Sequence, residues 1–508
     1  MGELFQDYEL KRDAGSCFEE YGKEEHDRHA TLRYNDIASA GSPARPLDFP
    51  APEVYRGERV DLRARDHKSG TIHSLKNVLL RCKFSSNRSR PDTAYLMTKK
   101  LSKTIYGSVN LCIVLRRIDK SFNINQRNTH TQKLEERQDD DDEDTGPLVE
   151  WESTDHQAAI KVSEWKKIHA LRGKHLEDPI KEIAAMQLFG KYHPHIVGIS
   201  EALQDDKCLY TVMPYLGGGD LYGRLIEFMG PRSVRTDDAG GIGATGFDET
   251  SARIWFRQIL LAVNLLQKKG VCHRDICLEN IILDEDDNIC LIDPGMSLRI
   301  PYTDSETGGV GDVSAGTSRR LMIAQGQGGK LMYAAPEIIA KAAEIDPFAT
   351  DLWSVGVVLF IMVVGLAPFR WAHHTDKRFA SISSGGLKNV VKGLGISISP
   401  EVCDLLQGFF WAENQKRFTL AEIMRHPWVQ GREFIYRPLT LPNKSITSLG
   451  SSKGFTFGTQ SLKNKFRGKK QSSNSSYANS YAKQIDNDAT HAESDRRRFH
   501  SLNHDTYR

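Results

Sequence analysis

The chain has 508 residues, of which 39% are hydrophobic, and its formal net charge at pH 7 is +2. This hydrophobic fraction is low for a chain that folds throughout, so one domain with long extra segments fits better than a row of compact domains. The near-neutral charge creates no field that would attract nucleic acid, and no nucleic-acid partner is expected. The eight cysteines form no C-x-x-C pair, which predicts reduced thiols in a cytoplasmic protein, with a nuclear location as the alternative.

Both ends of the chain are predicted to lack a compact structure. Residues 1–94 mix charged residues with Ser, Pro and Gly, include four prolines between Pro43 and Val54, and are predicted to be mostly disordered. Residues 437–508 carry thirteen basic against five acidic residues and predict a solvated, disordered tail. The alternative for this tail is regulatory protein binding through its basic stretch, 461–470, either to an acidic surface or, as a basic helix, to calmodulin. The stretch has too few apolar residues for a good calmodulin target.

No membrane span is predicted from the sequence. The first nine residues are polar and acidic, unlike a secretory signal. The longest apolar run, residues 355–367, contains two glycines and is too short to cross a bilayer, so it predicts a buried core helix.

Patterned elements begin near residue 95. Residues 101–115 predict a strand, a turn and a second strand, and residues 117–157 form an insertion whose acidic run is expected to be solvated. Ala158-Ala-Ile-Lys-Val162 then predicts a buried strand that carries Lys161. Residues 178–189 predict a helix with Asp178 as N-cap and Glu182 in its first turn.

A strand and a glycine-rich connection are predicted for residues 208–220, followed by a second insertion at 231–247 and a long amphipathic helix at 248–269. Val271 to Asn280 then predicts a short buried strand and a polar turn. A hairpin follows, with its turn at 284–288 and its second strand ending at Asp293.

The polar turn and the end of this hairpin carry the side chains of greatest chemical interest. Asp275, Asn280 and Asp293 are predicted to converge at the ends of neighbouring strands. Two carboxylates and an amide at one place suit a hydroxyl nucleophile and Mg²⁺-bound phosphates.

This stretch, His273-Arg-Asp-Ile-Cys-Leu-Glu-Asn280, followed by Asp293-Pro-Gly295 and Ala335-Pro-Glu337, resembles the eukaryotic protein kinases in residue types, order and spacing. The resemblance covers residues 95–436, and His426-Pro-Trp428 is similar to Ser/Thr kinases of the calcium/calmodulin-dependent group. It implies an α+β, bilobal fold, with a small β-rich N-lobe, a larger helical C-lobe and disordered flanks. It also implies Ser/Thr protein kinase activity, with ATP and Mg²⁺ as cofactors and proteins as substrates.

The resemblance further implies a role for each site residue. Asp275 would accept the proton of the substrate hydroxyl, and Asn280 and Asp293 would hold Mg²⁺. Lys161, paired with Glu182, would hold the α and β phosphates. The residues expected to contact the nucleotide are Gly107, Val109, Lys161, Met213, Leu216 and Asp220.

Three more contacts follow from the same resemblance. Asp351 would hydrogen-bond the polar turn within residues 271–280, which we call the catalytic turn, and Glu337 would pair with Arg417. Arg274 would meet a phosphate on the activation segment, residues 293–337, which contains several Ser and Thr residues.

Departures from the family pattern leave a second function open. Pro294 replaces a Phe, Ser102 and Thr104 replace two glycines of the phosphate-covering turn, and Cys277 replaces a lysine that meets the transferred phosphate. The alternative function is therefore a catalytically impaired pseudokinase that acts as a scaffold or interaction module.

Lys330 stands where the family carries a threonine that lies against the catalytic aspartate. Two interpretations remain open for it. Either the missing positive charge of position 277 has moved to Lys330, which would then be a catalytic residue, or Lys330 is an ordinary exposed lysine.

Overall fold

The computed structural model describes residues 28–82, 92–118, 150–190, 193–230, 246–304, 307–314 and 317–431. The acidic run of the first insertion, most of the second insertion and the basic tail lie outside these residues, so the predictions made for them stay predictions.

The N-terminal half of the described chain forms one seven-stranded sheet. Its strands are β1 (Tyr55–Arg65), β2 (Ile72–Arg81), β3 (Thr93–Lys103), β4 (Gly107–Arg117), β5 (Trp151–Glu164), β6 (Glu201–Gln204) and β7 (Cys208–Pro214). They pair in the order β1-β2-β3-β4-β5-β7-β6, with antiparallel neighbours. In addition, β1 makes short parallel pairings with β6 at Tyr55–Leu203 and with β5 at Ala64–Trp151.

Two expectations about this region need correction. Residues 28–82, part of the segment expected to be mostly disordered, contain β1 and β2. Leu79 enters the sheet core, and its neighbour Val78, on the opposite face of β2, is buried as well, although most other residues of the two strands are polar. The first insertion was expected to run to residue 157, but β5 begins at Trp151 and pairs with β4 from there, Arg117 facing Trp151. The extra chain between these strands is therefore shorter than predicted.

Before β1, the chain packs along the C-terminal lobe. We call residues 28–54 the N-terminal strap; it contains α1 (Arg28–Thr31) and α2 (Tyr34–Ser39), followed by an extended stretch. The extended stretch forms isolated bridges with Met322 through Ala44 and with Arg299 through Leu47.

Two helices pack with the sheet: α3 (Trp165–Leu171) and α4 (Pro179–Phe189). The helix α4 begins as predicted, with the Asp178 carboxylate accepting the N–H of Ile180 at 2.9 Å and Pro179 in the first turn. Its buried face includes Ile183 and Met186, so Glu182 is carried into the space between the lobes.

The second lobe is helical. Its helices are α5 (Leu221–Met229), α6 (Glu249–Lys268), α7 (Pro336–Ile339), α8 (Pro347–Val364), α9 (Lys377–Ser381), α10 (Leu387–Gly393), α11 (Pro400–Phe409), α12 (Leu420–Arg425) and α13 (Pro427–Gln430). The bilobal α+β fold is thereby confirmed. Among the described residues, α8 alone is long and apolar enough to cross a membrane, and 94% of it is buried inside the protein, as predicted for a core helix.

Short strands join the lobes and carry the polar residues of interest. They are β8 (Val271–Cys272), β9 (Ile281–Leu283), β10 (Ile289–Leu291), β11 (Leu298–Arg299), β12 (Tyr302–Thr303), β13 (Val310–Gly311), β14 (Ser318–Arg319), β15 (Met322–Ile323) and β16 (Glu344–Ile345). The predicted hairpin is β9–β10, and β8 pairs with β11 beyond Asp293. These pairings hold residues 271–293 on the buried face of α6 and α8.

Candidate active site

A buried carboxylate fixes the catalytic turn. Asp351, at the start of α8, accepts the backbone N–H of His273 at 2.6 Å and of Arg274 at 2.8 Å. Arg274 has a left-handed φ of 69°, which is costly for a residue other than glycine and requires such support. Burial raises the pKa of Asp351 to about 6, although the two N–H donors oppose that rise.

Asp275 and Asn280 lie side by side at the end of this turn. The Asn280 amide Nδ2 donates to the Asp275 carboxylate Oδ2 at 2.9 Å and to the Asp275 carbonyl at 2.9 Å. Burial raises the pKa of Asp275 to about 6, and the Asn280 amide counteracts it. A carboxylate with this pKa is ionised at neutral pH and poised to accept a proton.

Lys161 is the centre of a buried ionic cluster between the lobes. Its Nζ lies 2.9 Å and 2.8 Å from the two carboxylate oxygens of Glu182 and 3.1 Å from Oδ1 of Asp293. Burial alone would lower the pKa of Lys161, but the carboxylates of Glu182 and Asp293 hold it above its ordinary value. The predicted lysine and glutamate, 21 residues apart in sequence, are thus brought together on the metal aspartate.

One member of this cluster escaped the sequence analysis. Glu177 lies 3.6 Å from Lys161 and, with Glu182 and Asp293, forms a group whose ligand atoms lie within 4.8 Å of one another. The only sequence signal was its place directly before the helix cap Asp178. Three carboxylates so close together make this end of the cleft acidic, which favours cations.

The donor set fits the predicted magnesium ligands. Asn280 uses its Nδ2 for Asp275, which leaves its Oδ1 as the atom for a cation, and its carbonyl accepts the N–H of Ile292 at 2.9 Å. Asp293 follows directly, with a left-handed φ of 60°. An amide oxygen and a carboxylate on adjacent strands are hard oxygen ligands of the kind that Mg²⁺ takes.

The phosphate-covering turn is built without its first two glycines. The Thr104 hydroxyl accepts the N–H of Gly107 at 2.9 Å, so a side chain closes the turn. A Cβ on Gly107 would stand 2.0 Å from the carbonyl of Val162, which explains why this glycine remains. Tyr106 is 1% exposed and donates its hydroxyl to the carbonyl of Glu177 at 2.6 Å.

The remaining nucleotide positions line the cleft or its rim. Val109 faces Lys161 across β4 and β5, and Met213 faces Ala159 across β5 and β7. Leu216, after β7, packs with Met213 against the cluster under α4. Asp220 caps α5, accepting the N–H of Gly223 at 2.7 Å, a structural role that the sequence analysis did not assign.

The activation segment is held in a way the sequence did not indicate. Arg274, expected to meet a phosphate, donates instead to the carbonyls of Gly326 at 2.8 Å and Gln325 at 3.3 Å. Arg319 forms a buried ion pair with Asp346 at 2.9 Å. The expected pair of Glu337 with Arg417 is present, with oxygen–nitrogen distances of 2.8 and 2.9 Å.

Lys330 lies beside the catalytic turn. Its Nζ is 3.8 Å from the Sγ of Cys277 and 2.5 Å from a carboxylate oxygen of Glu279. The side chain therefore occupies the neighbourhood from which the family lysine is missing.

The chain was compared with known proteins. A family model described as the protein kinase domain matches residues 149–429. CBL-interacting protein kinase 25 of Oryza sativa subsp. japonica is 30% identical over 276 residues, which are 54% of this chain and 46% of the relative. The carbon catabolite-derepressing protein kinase of Secale cereale is 30% identical over 287 residues, which are 56% and 48% of the two chains.

A third relative is the calcium/calmodulin-dependent protein kinase type 1 of Macrobrachium nipponense, 28% identical over 280 residues, which are 54% of this chain and 67% of the relative. The chain spans about half the length of the first two relatives that it matches. The family model covers more than half of the chain and includes the catalytic turn, Asp293, Glu337 and Arg417. The chain therefore belongs to the protein kinase superfamily.

Proposed function

We propose that this protein is a Ser/Thr protein kinase that transfers the γ-phosphoryl group of ATP to hydroxyl groups of protein substrates. The observation that carries the proposal is the Lys161 cluster, in which one ammonium lies 2.9 Å from Glu182 and 3.1 Å from Asp293. In protein kinases, the lysine–glutamate pair and the metal aspartate must both be in place for phosphoryl transfer.

The proposal gives each residue the role that the family resemblance implies, and the contacts among the residues support it. Asp275 accepts the proton of the substrate hydroxyl, and the Asn280 amide holds the Asp275 carboxylate in place at 2.9 Å. Asn280 and Asp293 would hold Mg²⁺, which when bound neutralises charge on the phosphates. Lys161 binds the α and β phosphates, and Gly107, Val109, Met213, Leu216 and Asp220 contact the rest of the nucleotide.

The pseudokinase alternative predicts that part of the catalytic set has decayed. All five residues are present among the described residues: Lys161 contacts Glu182 and Asp293, and the Asn280 amide contacts the Asp275 carboxylate. These contacts support the transferase over a scaffold.

We also propose a cytoplasmic location, with a nuclear one as the alternative, and regulatory protein binding through the basic tail.

The test is phosphoryl transfer by the full chain from Mg²⁺-ATP to a generic basic protein substrate. Asp275→Asn should lower kcat by about 10²–10⁴, because the general base is lost while its hydrogen bond with Asn280 is largely retained. Asp293→Ala, which removes a metal ligand, should be at least as damaging, and neither variant should lose its cooperative thermal unfolding. A wild type no faster than Asp275→Asn would refute the proposed activity.

A further inference from the structure

The catalytic turn lacks a cation at the position that faces the transferred phosphate. Cys277, which occupies that position, is 1% exposed, and burial raises the pKa of its thiol, so it is neutral. The other cation of the turn, Arg274, directs its guanidinium to the carbonyls of Met296, Gln325 and Gly326. The turn itself therefore supplies no positive charge for the reaction.

The activation segment approaches the turn at the same place. Gly329 has a φ of +67°, and a Cβ there would stand 2.8 Å from both the Arg274 carbonyl and the Asp275 carboxylate. Only glycine permits this approach, since a side chain would be strained and would collide with backbone. The next residue, Lys330, is thereby placed beside Cys277.

The environment of Lys330 keeps it charged and leaves it able to move. Its ammonium is 2.5 Å from Glu279 and 3.8 Å from the Cys277 sulfur, and its side chain is 48% exposed. Burial alone would lower the pKa of Lys330, but its neighbours, Glu279 among them, raise it above the ordinary value. Asp275 is also among the groups whose charge acts on Lys330.

We propose that Lys330 supplies, from the activation segment, the positive charge that Cys277 does not supply, and that Glu279 is the residue that positions it. This inference rests on the proposed kinase activity. During transfer, the bond from the γ-phosphorus to the ADP oxygen breaks, the bond to the substrate oxygen forms, and the hydroxyl proton passes to Asp275. Lys330 transfers no proton. Its ammonium moves from Glu279 toward the phosphoryl oxygens and stabilises their charge in the transition state.

An alternative is that Lys330 only neutralises Glu279 and fastens the activation segment to the turn. The two roles differ kinetically. A residue that stabilises charge in the transition state lowers kcat when removed and changes ATP binding little. A fastening residue lowers thermal stability, and its effect on kcat is not restored by a lysine placed elsewhere.

The experiment measures kcat and the KM for ATP in the full chain. Lys330→Ala should lower kcat by about 10² or more, with a much smaller change in KM, because the lost interaction is made in the transition state. Lys392→Ala, which removes an exposed lysine at the end of α10, is the matched control and should behave like the wild type. Lys330→Met keeps the apolar part of the side chain and serves if the alanine variant unfolds.

The decisive comparison is a rescue. Cys277→Lys combined with Lys330→Thr should be at least about 10-fold faster than Lys330→Thr alone, because the charge returns to the phosphate from the other segment. Wild-type kcat in Lys330→Ala, or no gain from Cys277→Lys, overturns the relocation. Since wild type and Asp275→Asn are measured together, a failure of the kinase proposal shows separately as equal rates for those two.

Discussion

The catalytic turn and the N-terminal strap are both fixed firmly to the protein, but by different kinds of contact. The turn is fixed by particular side chains: Asp351 accepts two of its N–H groups, and Asn280 bonds Asp275 five residues away. Replacing any of these side chains with alanine removes at least one hydrogen bond. The turn is therefore encoded by residue identity, and a motif records it.

Toward the activation segment the strap contributes backbone groups, although its Arg33 side chain bonds Glu422 elsewhere in the C-terminal lobe. The Ala44 N–H donates to the Leu321 carbonyl at 3.1 Å, and the Ala44 carbonyl accepts the Ile323 N–H at 2.9 Å. The carbonyls of Ala40 and Ser42 accept from Thr303 and Arg320, at sequence separations of 263 and 278 residues. Because any residue offers these backbone groups, the strap leaves almost no record in its own sequence. The lesson is that a segment without a motif can still support the activation segment.

The strongest way to break the turn is Asp351→Ala. Two buried backbone N–H groups would lose their acceptor, which costs about 1–3 kcal/mol each, and kcat should fall by at least about 10-fold. Amide hydrogen exchange should accelerate at residues 272–275 and remain unchanged in the strap. Asp351→Asn retains one acceptor oxygen, so its kcat and exchange rates should lie between those of the wild type and of Asp351→Ala. Faster exchange in the strap as well would show that the two regions are one cooperative unit.

The corresponding test of the strap is Ala44→Pro. Proline removes the N–H that donates to Leu321, so unfolding should become about 1 kcal/mol easier and the Ile323 amide should exchange faster. We expect a loss in kcat of several-fold, since the activation segment loses support. Ala44→Gly keeps the N–H and is the control. Wild-type exchange at Ile323 in the proline variant would mean that the strap does not hold this segment.

Acid acts outside both regions, on a buried histidine, because backbone hydrogen bonds such as those of the strap do not titrate. His195 is 3% exposed, donates from Nδ1 to the carbonyl of Ile289 at 3.0 Å, and has its pKa lowered to about 4 by burial. The unfolded chain, with an ordinary histidine pKa of about 6.5, binds more protons between these values. The free energy of unfolding should therefore fall as pH falls from about 6.5 to about 4.

His195→Asn keeps a donor for Ile289 and cannot titrate. Its free energy of unfolding should fall less steeply than that of the wild type in this pH window, by up to about 1.4 kcal/mol per pH unit. Ala44→Pro should leave the slope unchanged. Denaturant titrations at several pH values would measure both, and identical slopes for wild type and His195→Asn would contradict the assignment of a neutral, buried His195.

The same contrast explains what the sequence could predict. Lys161, Glu182, Asp275, Asn280 and Asp293 could be identified from the sequence, because the motif requires a particular residue type at each position and a particular spacing between them. The contact of Glu337 with Arg417 was expected from the family resemblance. Asp178, too, was recognised as a helix cap by its residue type and position.

What remained hidden depends on the path of the backbone. Strands β1 and β2 carry many polar residues, so composition suggested disorder, although a few apolar residues such as Leu79 are buried in the sheet. The partners of Arg274 are carbonyls, which every residue possesses, and no pattern shows that residues 325 and 326 pass beside it. Tyr106, in the phosphate-covering turn, donates its hydroxyl to the carbonyl of Glu177 just before α4, and this contact exists only after folding.

The pairing of β4 with β5 has a practical consequence for anyone who expresses this protein in pieces. The family model begins at residue 149, yet Val109 of β4 is the neighbour that flanks Lys161, and β1 covers the free side of β6. A fragment cut at residue 149 would expose the bare edges of two strands, which invite association with other chains. Insoluble expression of such a fragment would reflect the choice of boundary, and a start before residue 28 retains the pairings of β4 with β5 and of β1 with β6.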